Sequence, residues 1–577
     1  MNTLKMTPSE ALVETLVAEG IENVFGIVGS AFMDALDLFP AAGIRFVPVA
    51  HEQAACHAAD GYARVTGKPQ VCIGQNGPGA ANFVSALTAA YWAHSPVVAI
   101  TPETGSLGLG NGGFQELDQM PMFEKSTVYQ VRVSHGQRMA ELARRCFYMA
   151  KNLNGPAQLN IPRDHFYGVC EDEIFKTPLV SRGPGGLADI VNAAKLIKDA
   201  TFPVILSGGG VSQGGALEEV QALAEYLTAP VCNTYLHNDS FPAGHELACG
   251  PIGYCGSKAA MRILKKADLI IALGTRLGPF GTLPQYDIDY WPEKARLIQC
   301  DTNINALGLS KNADVYSVGD VKEFTATLLK EVRAALPGLG KNEDRLSAVV
   351  SERKIWDDEM KGWNSSNQSA PMHPRRFHAE WTRALPEDTI VATDIGNNAS
   401  MINGYLKFEG IRRHISALSW GNCGFAYGAA MGCKLARPDA PVIAFQGDGA
   451  YGISGVQEVM TAVREKIPVI AIVATNYEWG AEKKNQIDFY GNRFVGANIP
   501  ENPDYARLAE DMGAKGIRID HPDQVGDAVR EAIASGQPTV INAIVQGGEE
   551  VLAEPFRRDA LALPVRYLDK YAHLNAK

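Results

Sequence analysis

Short apolar runs alternate along this chain with longer stretches in which apolar positions recur every three or four residues. In the first third the runs are VFGIVG, FVPVA, VCIG, VVAIT and QLNIP. Uninterrupted apolar runs separated by amphipathic helices are typical of parallel strands that helices cover on both faces. The pattern therefore predicts an α/β fold, built as three doubly wound α/β domains with mostly parallel sheets.

Two breaks in this pattern divide the chain. Ser181–Gly186 is rich in glycine and proline, and so is Pro337–Gly340, which is followed by a polar stretch reaching Pro374. Such segments are typical of linkers. We therefore expect domains at residues 1–183, 184–345 and 346–577. The second linker, Pro337–Gly340 with the polar stretch that follows it, joins the second domain to the third.

A candidate phosphate site lies in the last of these domains. Gly447-Asp448-Gly449-Ala450 follows one predicted strand, PVIAFQ, and Asn476 follows the next, PVIAIVAT, 28 residues after Asp448. The carboxyl ends of neighbouring parallel strands meet at the same edge of a sheet, where ligands collect. The spacing thus predicts that Asp448 and Asn476 lie together beside a glycine turn.

Oxygen atoms of this segment suit a magnesium ion. Mg²⁺ takes about six oxygen ligands, often including substrate phosphates. Asp448, the Asn476 amide oxygen and a main-chain carbonyl near Glu478 offer three. The adjacent helix terminus adds N–H groups that favour a diphosphate.

Two other interpretations of the glycine turn stay open at this point. Gly447–Gly452 also matches G-x-G-x-x-G, the dinucleotide fingerprint. Against it, we expect the helix to begin only at Ser454, as N-cap with Gln457 three residues on, and to contain Glu465. A plain glycine turn with an N-capping aspartate is the second interpretation.

A second constellation lies near the front of the chain. Glu52 opens an alanine-rich predicted helix, HEQAACHAADGYAR, after a short apolar run. Considered alone, such a glutamate fits a solvated first helical turn. Two further segments follow it, QNGPGAAN, in which Gly77 lets a ring approach the backbone, and GGFQE.

These motifs together resemble the thiamine diphosphate enzymes of the acetolactate synthase and pyruvate oxidase group, over nearly the whole chain. The resemblance implies that thiamine diphosphate and Mg²⁺ are the cofactors and that Glu52 hydrogen-bonds the aminopyrimidine ring. Gln115 matches a glutamine near the reacting carbon, and Cys423 stands where relatives often carry a large apolar residue against the cofactor. The remaining matches are cofactor contacts at Gly77, Gly396, Asn397, Asn398, Gly449 and Ala450, and metal ligands at Asp448, Asn476 and Glu478.

Within that group, several segments are most similar to the sulfoacetaldehyde acetyltransferase family, among them NIPRDHF, HNDSFPAGH and LGTRLGPFGTLPQYDIDYWP. This similarity implies conversion of sulfoacetaldehyde and phosphate to acetyl phosphate and sulfite. The alternatives are a 2-keto acid decarboxylating enzyme, like acetolactate synthase or pyruvate oxidase, and a catalytically silent cofactor-binding subunit. FAD is not expected, since Ile298–Asn303 only loosely resembles a flavin-contacting stretch.

Two anionic substrates require cationic or N–H donors near the reaction centre. For each of the candidates, an ordinary surface or core position is the competing interpretation. The candidates are Arg276, Lys483, Lys484, Gln75, His94 and Ser30.

Composition narrows the classes of partner and location that the protein can have. The chain has 577 residues and a net charge of −11 without basic tracts, which argues against a nucleic-acid partner. Its ten cysteines form no C-x-x-C pair, no zinc spacing is present, and no signal peptide or membrane-length apolar run stands out, so we expect a cytoplasmic protein without membrane contact. Because the resemblance implies that different subunits supply the two ends of the cofactor site, we expect a homodimer as the minimum and a homotetramer as the full assembly.

Overall fold

Three six-stranded sheets, in which every neighbouring pair of strands runs parallel, organise the chain. The computed structural model describes residues 3–417, 420–500, 502–553 and 563–575. Separate hydrophobic clusters lie on the two faces of each sheet, as expected of strands that helices cover on both sides. The predicted architecture of three doubly wound α/β domains is confirmed.

The first sheet has the strand order β3-β2-β4-β5-β7-β6, and a short antiparallel pair, β1 with β8, lies beside it. The strands of the first domain are β1 (Leu4–Met6), β2 (Asn23–Gly26), β3 (Arg45–Pro48), β4 (Gln70–Ile73), β5 (Val97–Glu103), β6 (Tyr129–Arg132), β7 (Ala157–Pro162) and β8 (Cys170–Asp172). Its helices are α1 (Pro8–Glu19), α2 (Met33–Leu38), α3 (Glu52–Thr66), α4 (Pro78–Ala81), α5 (Val84–Trp92) and α6 (Met139–Leu153).

The second sheet has the order β11-β10-β9-β12-β13-β14. Its strands are β9 (Pro203–Ser207), β10 (Val231–Asn233), β11 (Ala248–Pro251), β12 (Leu269–Leu273), β13 (Arg296–Asp301) and β14 (Val315–Val318). The helices are α7 (Leu187–Asp199), α8 (Gly209–Gly214), α9 (Leu217–Leu227), α10 (Lys258–Leu264), α11 (Val321–Ala335) and α12 (Glu343–Trp363).

Helix α12 occupies the polar stretch that the sequence pattern suggests is a linker. Only Val349 and Trp356 of its residues are buried, so its apolar positions are too sparse to show a helical period. Ion pairs from Glu359 to Lys258 and Arg262 join it to α10. The polar stretch is therefore largely a helix that packs on the second domain.

The third sheet has the order β16-β15-β17-β18-β20-β19. Its strands are β15 (Ile390–Thr393), β16 (His414–Ser416), β17 (Val442–Gly447), β18 (Ile470–Thr475), β19 (Lys515–Ile519) and β20 (Thr539–Ile544). The helices are α13 (Pro374–Arg383), α14 (Asn397–Met401), α15 (Ala426–Ala436), α16 (Asp448–Ile453), α17 (Glu458–Arg464), α18 (Gly480–Tyr490), α19 (Tyr505–Asp511), α20 (Pro522–Ser535) and α21 (Asp569–Ala572). The two strands predicted around the glycine turn are the parallel neighbours β17 and β18.

The prediction that the helix after the glycine turn begins at Ser454 is wrong. Helix α16 begins at Asp448 directly after Gly447, and Ser454 ends it in an extended conformation. Gly455 has a φ of +149°, which separates α16 from α17 although the apolar spacing continues across the break. The expected late start of the helix therefore no longer argues against the dinucleotide fingerprint. The position of Glu465 still does, because Glu465 lies at the end of α17 and not at the end of a strand.

The first and third domains are joined by α3 and α15, which approach closely through small residues. A Cβ atom at Gly432 would collide with the main-chain oxygen of Ala58, and one at Gly61 with that of Ala429. One hydrophobic cluster contains side chains from both helices. Among the helices that the structure describes, none combines the length and the apolar character needed to cross a bilayer.

Candidate active site

Asp448 is held at the carboxyl end of the third sheet by bonds to its neighbours. Its Oδ2 accepts hydrogen bonds from the Tyr477 main-chain N–H and from Asn502 Nδ2, both at 2.8 Å. Burial raises its pKa to about 6, against the lowering effect of these bonds. The carboxylate is thus fixed in place at the turn between β17 and α16.

Three oxygen atoms, one of them from Asp448, lie close together at this turn. The Asn476 side-chain oxygen lies 3.2 Å from Asp448 Oδ1 and 3.1 Å from the Glu478 main-chain oxygen. Ligands on adjacent corners of a magnesium octahedron lie about 3 Å apart, since each metal–oxygen bond is about 2.1 Å. The donor set therefore fits a small divalent cation between the three oxygens; without one, the amide would turn so that Nδ2 donates to both acceptors.

The Glu478 carboxylate is engaged by neighbouring donors, among them Asn476 Nδ2 at 3.4 Å. It also accepts from the Gly548 main-chain N–H at 3.0 Å and pairs with Lys483 Nζ at 2.5 Å. Glu478 thus contributes its main-chain carbonyl, as the sequence suggested. Within the described ranges, no group of three or more His, Cys, Asp or Glu side chains is arranged around a metal-sized site, so a cation here would depend on amide, main-chain and ligand oxygens.

A cavity of about 430 Å³ opens from these oxygens along the amino terminus of α14. Gly396 precedes that helix with a φ of +119°, and Asn397 Nδ2 is buried without a hydrogen-bond partner among the described residues. The charged residues in the described lining are all acidic: Asp448, Glu478 and Glu482. An anionic diphosphate in this cavity would need a cation to offset those charges.

Cys423 lines the same cavity on a turn that Asp394 holds. Asp394 accepts hydrogen bonds from the main-chain N–H groups of Gly424 and Ala426, at 3.0 and 2.9 Å. It also accepts one from Gln446 Nε2 at 2.9 Å. Burial raises the pKa of Asp394 to about 6 and that of the Cys423 thiol to about 12. Sequence reasoning missed Asp394, whose place directly after a buried strand was the available signal.

Glu52 is the first residue of α3, as the sequence predicts. The preceding residue, His51, caps the helix by accepting the Gln53 main-chain N–H on its Nδ1 at 3.2 Å. Glu52 itself is partly exposed, and its Oε2 accepts from Asn82 Nδ2 at 2.9 Å. The carboxylate is therefore accessible and oriented by one amide.

Gln115 lies beside Gln75 in the first domain. Gln115 has a φ of +57°, and its main-chain oxygen accepts from Asn76 Nδ2 at 3.1 Å. Gln75 Nε2 donates to Gln115 Oε1 at 3.0 Å and approaches Ser30 Oγ at 3.4 Å. A Cβ at Gly77 would collide with the Gln115 main chain, which explains the glycine. Four of the predicted site residues are thus brought together here.

The other anion candidates lie elsewhere or are paired. Arg276 lies over the Trp92 ring at 4.4 Å and, with His94, lines a separate cavity of about 1260 Å³. Burial lowers the pKa of His94 to about 4. Lys483 pairs with Glu478, and Lys484 Nζ lies 2.7 Å from Asp488 Oδ1.

Among the described residues, the predicted site residues form two clusters, and only one of them lines the 430 Å³ cavity. The first-domain cluster contains Glu52, Gln75 and Gln115. The 430 Å³ cavity is lined, among the described residues, only by the third domain and by the second-domain side chains Pro279, Phe280 and Leu283.

Comparison with known proteins places the two clusters in two cofactor-binding domain families. The chain matches three thiamine pyrophosphate enzyme domain families: the N-terminal TPP binding domain at residues 6–122, the central domain at 190–328 and the C-terminal TPP binding domain at 394–543. It is 50% identical to the sulfoacetaldehyde acetyltransferase of Castellaniella defragrans, over 98% of this chain and 97% of the relative.

Two further relatives extend the comparison. Identity to the sulfoacetaldehyde acetyltransferase of Alcaligenes xylosoxydans xylosoxydans is also 50%, over 98% of this chain and 97% of the relative. Identity to the probable acetolactate synthase large subunit of Methanocaldococcus jannaschii is 33%, over 95% and 94%. The chain therefore belongs to the thiamine pyrophosphate enzyme family, in the branch that includes the sulfoacetaldehyde acetyltransferases and, at lower identity, the acetolactate synthases.

Proposed function

We propose that this protein is a thiamine diphosphate-dependent acetyltransferase that converts sulfoacetaldehyde and phosphate to acetyl phosphate and sulfite. The observation that carries the proposal is the 50% identity, along nearly the full length of both chains, to relatives of that name. The intact cluster of Glu52 and Gln115, together with the converging oxygens at Asp448, supports an active enzyme over a silent subunit.

The third domain would hold the charged end of the cofactor. Asp448 Oδ1, the Asn476 side-chain oxygen and the Glu478 main-chain oxygen are our proposed ligands for Mg²⁺, which would offset the acidic lining. Asn397, with its buried unpartnered amide nitrogen, is a proposed diphosphate contact. Gly396, Asn398, Gly449, Ala450 and Cys423 complete the proposed cofactor contacts.

The first domain would act on the other end of the cofactor. Thiamine diphosphate supplies, when bound, the carbon nucleophile and the electron sink for acyl transfer. Glu52 would donate a hydrogen bond to the pyrimidine ring, or accept one from it, and Asn82 keeps the carboxylate in that direction. Gln115, held by Gln75, would orient the substrate, and Gln75 and Ser30 are proposed contacts to its anionic group.

A second copy of the chain would bring these clusters together, so we propose a homodimer as the functional minimum and a homotetramer as the assembly. Phe114, which directly precedes Gln115, is 88% exposed, and Leu107, earlier in the same segment, is 95% exposed. Apolar side chains this exposed beside a site are typical of a surface that a partner covers. The ten free cysteines agree with our proposal of a reducing, cytoplasmic location.

Product analysis tests the proposed reaction. The purified protein, with thiamine diphosphate and Mg²⁺, would be given either sulfoacetaldehyde with phosphate or pyruvate, and sulfite, acetyl phosphate and CO₂ would be measured. We expect sulfite and acetyl phosphate in equal amounts from the first mixture. Carbon dioxide from pyruvate, with no sulfite from sulfoacetaldehyde, would favour the decarboxylating alternative instead.

A matched variant tests the role of Glu52. Glu52→Gln should lower turnover on the order of 10² to 10⁴-fold, because an acid–base partner of the cofactor is lost. Cofactor affinity should change little, since the proposed diphosphate and metal contacts lie in the third domain. Glu14→Gln, an exposed change on α1, is the control.

A further inference from the structure

Glu458, the first residue of α17, has a buried carboxylate that reaches from the third domain to the first. Its side chain has no solvent exposure. Oε2 accepts the Ala50 main-chain N–H at 3.1 Å, and Oε1 accepts the His51 main-chain N–H at 3.0 Å. Thr461 Oγ1 donates to Oε2 at 2.8 Å. The carboxylate therefore holds two consecutive main-chain groups of another domain.

Those two main-chain groups immediately precede Glu52. Ala50 and His51 connect β3 to α3, and His51 is the N-cap residue of the helix that Glu52 begins. The direction in which the first side chain of a helix leaves the backbone depends on the conformation of its cap. Glu458 thus acts on the short stretch of backbone that sets the orientation of Glu52.

The chemistry of the contact favours an orienting role over simple packing. Burial raises the pKa of Glu458, while the bonds from Ala50, Thr461 and His51 lower it. Placing a carboxylate in a buried contact is costly unless each oxygen is hydrogen-bonded, and an apolar side chain would fill the same space without that cost. A second contact, the ion pair between Arg45 and Glu465 at 3.1 Å, already joins the same two elements near the surface.

We propose that Glu458 is a positioning residue for Glu52: by fixing the main chain of Ala50 and His51, it holds the Glu52 carboxylate in the direction of the cofactor's pyrimidine ring. The inference rests on the proposed role of Glu52, and it adds a link between domains. Helix α17 follows the turn and helix that present Asp448, so one continuous segment would organise both the metal site and the activating glutamate of the same chain.

Hydrogen exchange in the cofactor-free protein tests the contact directly. In Glu458→Gln, one oxygen is replaced by an NH₂ group that cannot accept, so one of the two main-chain donors loses its partner. We expect the amides of Ala50 and His51, read by mass spectrometry of a peptide spanning residues 45–53, to exchange on the order of tenfold faster. Glu465→Gln, which weakens the second contact between β3 and α17, should leave those amides protected.

Proton exchange at the cofactor tests the consequence for Glu52. In the loaded enzyme, the proton on the reactive thiazolium carbon of bound thiamine diphosphate can be exchanged in D₂O, quenched in acid and read by NMR. We expect Glu458→Gln and Glu458→Ala to slow this exchange on the order of 10- to 100-fold, because misplacement by a fraction of an ångström is costly. Glu52→Gln is the reference for full loss, and Glu465→Gln should match the wild type.

Neither measurement uses sulfoacetaldehyde. A negative result would therefore count against the role of Glu458 and not against the proposed substrate. Faster amide exchange together with slower cofactor exchange, at unchanged cofactor affinity, would support the proposal. Wild-type cofactor exchange in both Glu458 variants would overturn it. Failure of both variants to fold would overturn it as well, because it would assign Glu458 to domain packing.

Discussion

Tyr477 and Asp448 are joined across the ends of two neighbouring parallel strands, because the Tyr477 main-chain N–H donates to Asp448 Oδ2 at 2.8 Å. Asn502 Nδ2 donates to the same oxygen, at the same distance. Asp448 Oδ1 accepts the Gly449 main-chain N–H at 3.0 Å and also faces the Asn476 side-chain oxygen. Both carboxylate oxygens thus accept main-chain N–H groups, and Oδ1 also faces the proposed metal position.

Asn502 should therefore influence the metal without touching it. In Asn502→Ala, Asp448 Oδ2 loses a donor and the carboxylate gains freedom, so we expect the affinity for Mg²⁺ to fall on the order of 10- to 100-fold. Titration of Mg²⁺ at saturating thiamine diphosphate, followed by tryptophan fluorescence, would measure it, because Trp420 and Trp479 line the cavity. Asn192→Ala, an exposed change on α7, is the control, and equal affinities for the two variants would contradict the prediction.

Gln75 should matter through Gln115. The Gln75 amide donates to Gln115 Oε1 at 3.0 Å, and Gln115 already has an uncommon backbone conformation with a φ of +57°. In Gln75→Ala we expect kcat/KM to fall about tenfold, which corresponds to loss of the Gln115 hydrogen bond of about 1.4 kcal/mol. Loss of the bonds to Asn76 Oδ1 and the Ala31 main-chain N–H should lower Tm as well. Glu14→Gln, an exposed change on α1, is the control. A lower Tm with unchanged kcat/KM would mean that Gln75 is structural.

The side-chain oxygens of the proposed metal site were predictable because a local rule brings them together. Strands β17 and β18 are short apolar runs, and parallel neighbours present their carboxyl ends at one edge, which brings Asp448 and Asn476 together. Asp394 and Asn502 escaped prediction because no sequence pattern links them to their partners. Asp394 binds main-chain N–H groups about thirty residues away, and Asn502 reaches Asp448 from a loop.

The same contrast holds for the fold. Apolar runs identified the three sheets, since buried parallel strands have few polar positions. Helix α12 was not predicted because ion pairs attach it to α10, whereas most helices attach to a domain through an apolar stripe that the sequence shows. The break between α16 and α17 escaped because the conformation of Gly455, and not the apolar spacing, decides it. Gln75 and Gln115 lie forty residues apart, and their contact needed the tertiary structure.

Asp394 should make the stability of the folded protein depend on pH between about pH 4 and pH 6. Burial raises its pKa from an ordinary value of 3.8 to about 6. Between these values the folded protein binds more protons than the unfolded chain, so the contribution of Asp394 to stability falls as the pH rises from about 4 to about 6. In cofactor-free protein, the urea midpoint of the wild type should therefore decrease relative to that of Asp394→Asn over this range.

The measurement requires the two proteins side by side. Urea midpoints of wild type and Asp394→Asn would be recorded from pH 4 to pH 8, with Asp189→Asn, in the first turn of α7, as the control for unrelated titrations. Above about pH 6 the difference should be constant. A wild type that gains stability over the variant from pH 4 to pH 6 would mean that the N–H donors from Gly424 and Ala426 outweigh burial.

Cys423 should be nearly inert to alkylation although it lines the cofactor cavity. Burial raises the pKa of its thiol to about 12, and only the thiolate is a strong nucleophile. We expect iodoacetamide to modify Cys423 far more slowly than glutathione at pH 7, with the rate rising about tenfold for each pH unit below the thiol pKa. Peptide mass spectrometry would follow the modified residue. Thiamine diphosphate with Mg²⁺ should slow the reaction further by filling the cavity, whereas rapid modification at pH 7 would contradict a partly buried thiol that stays neutral.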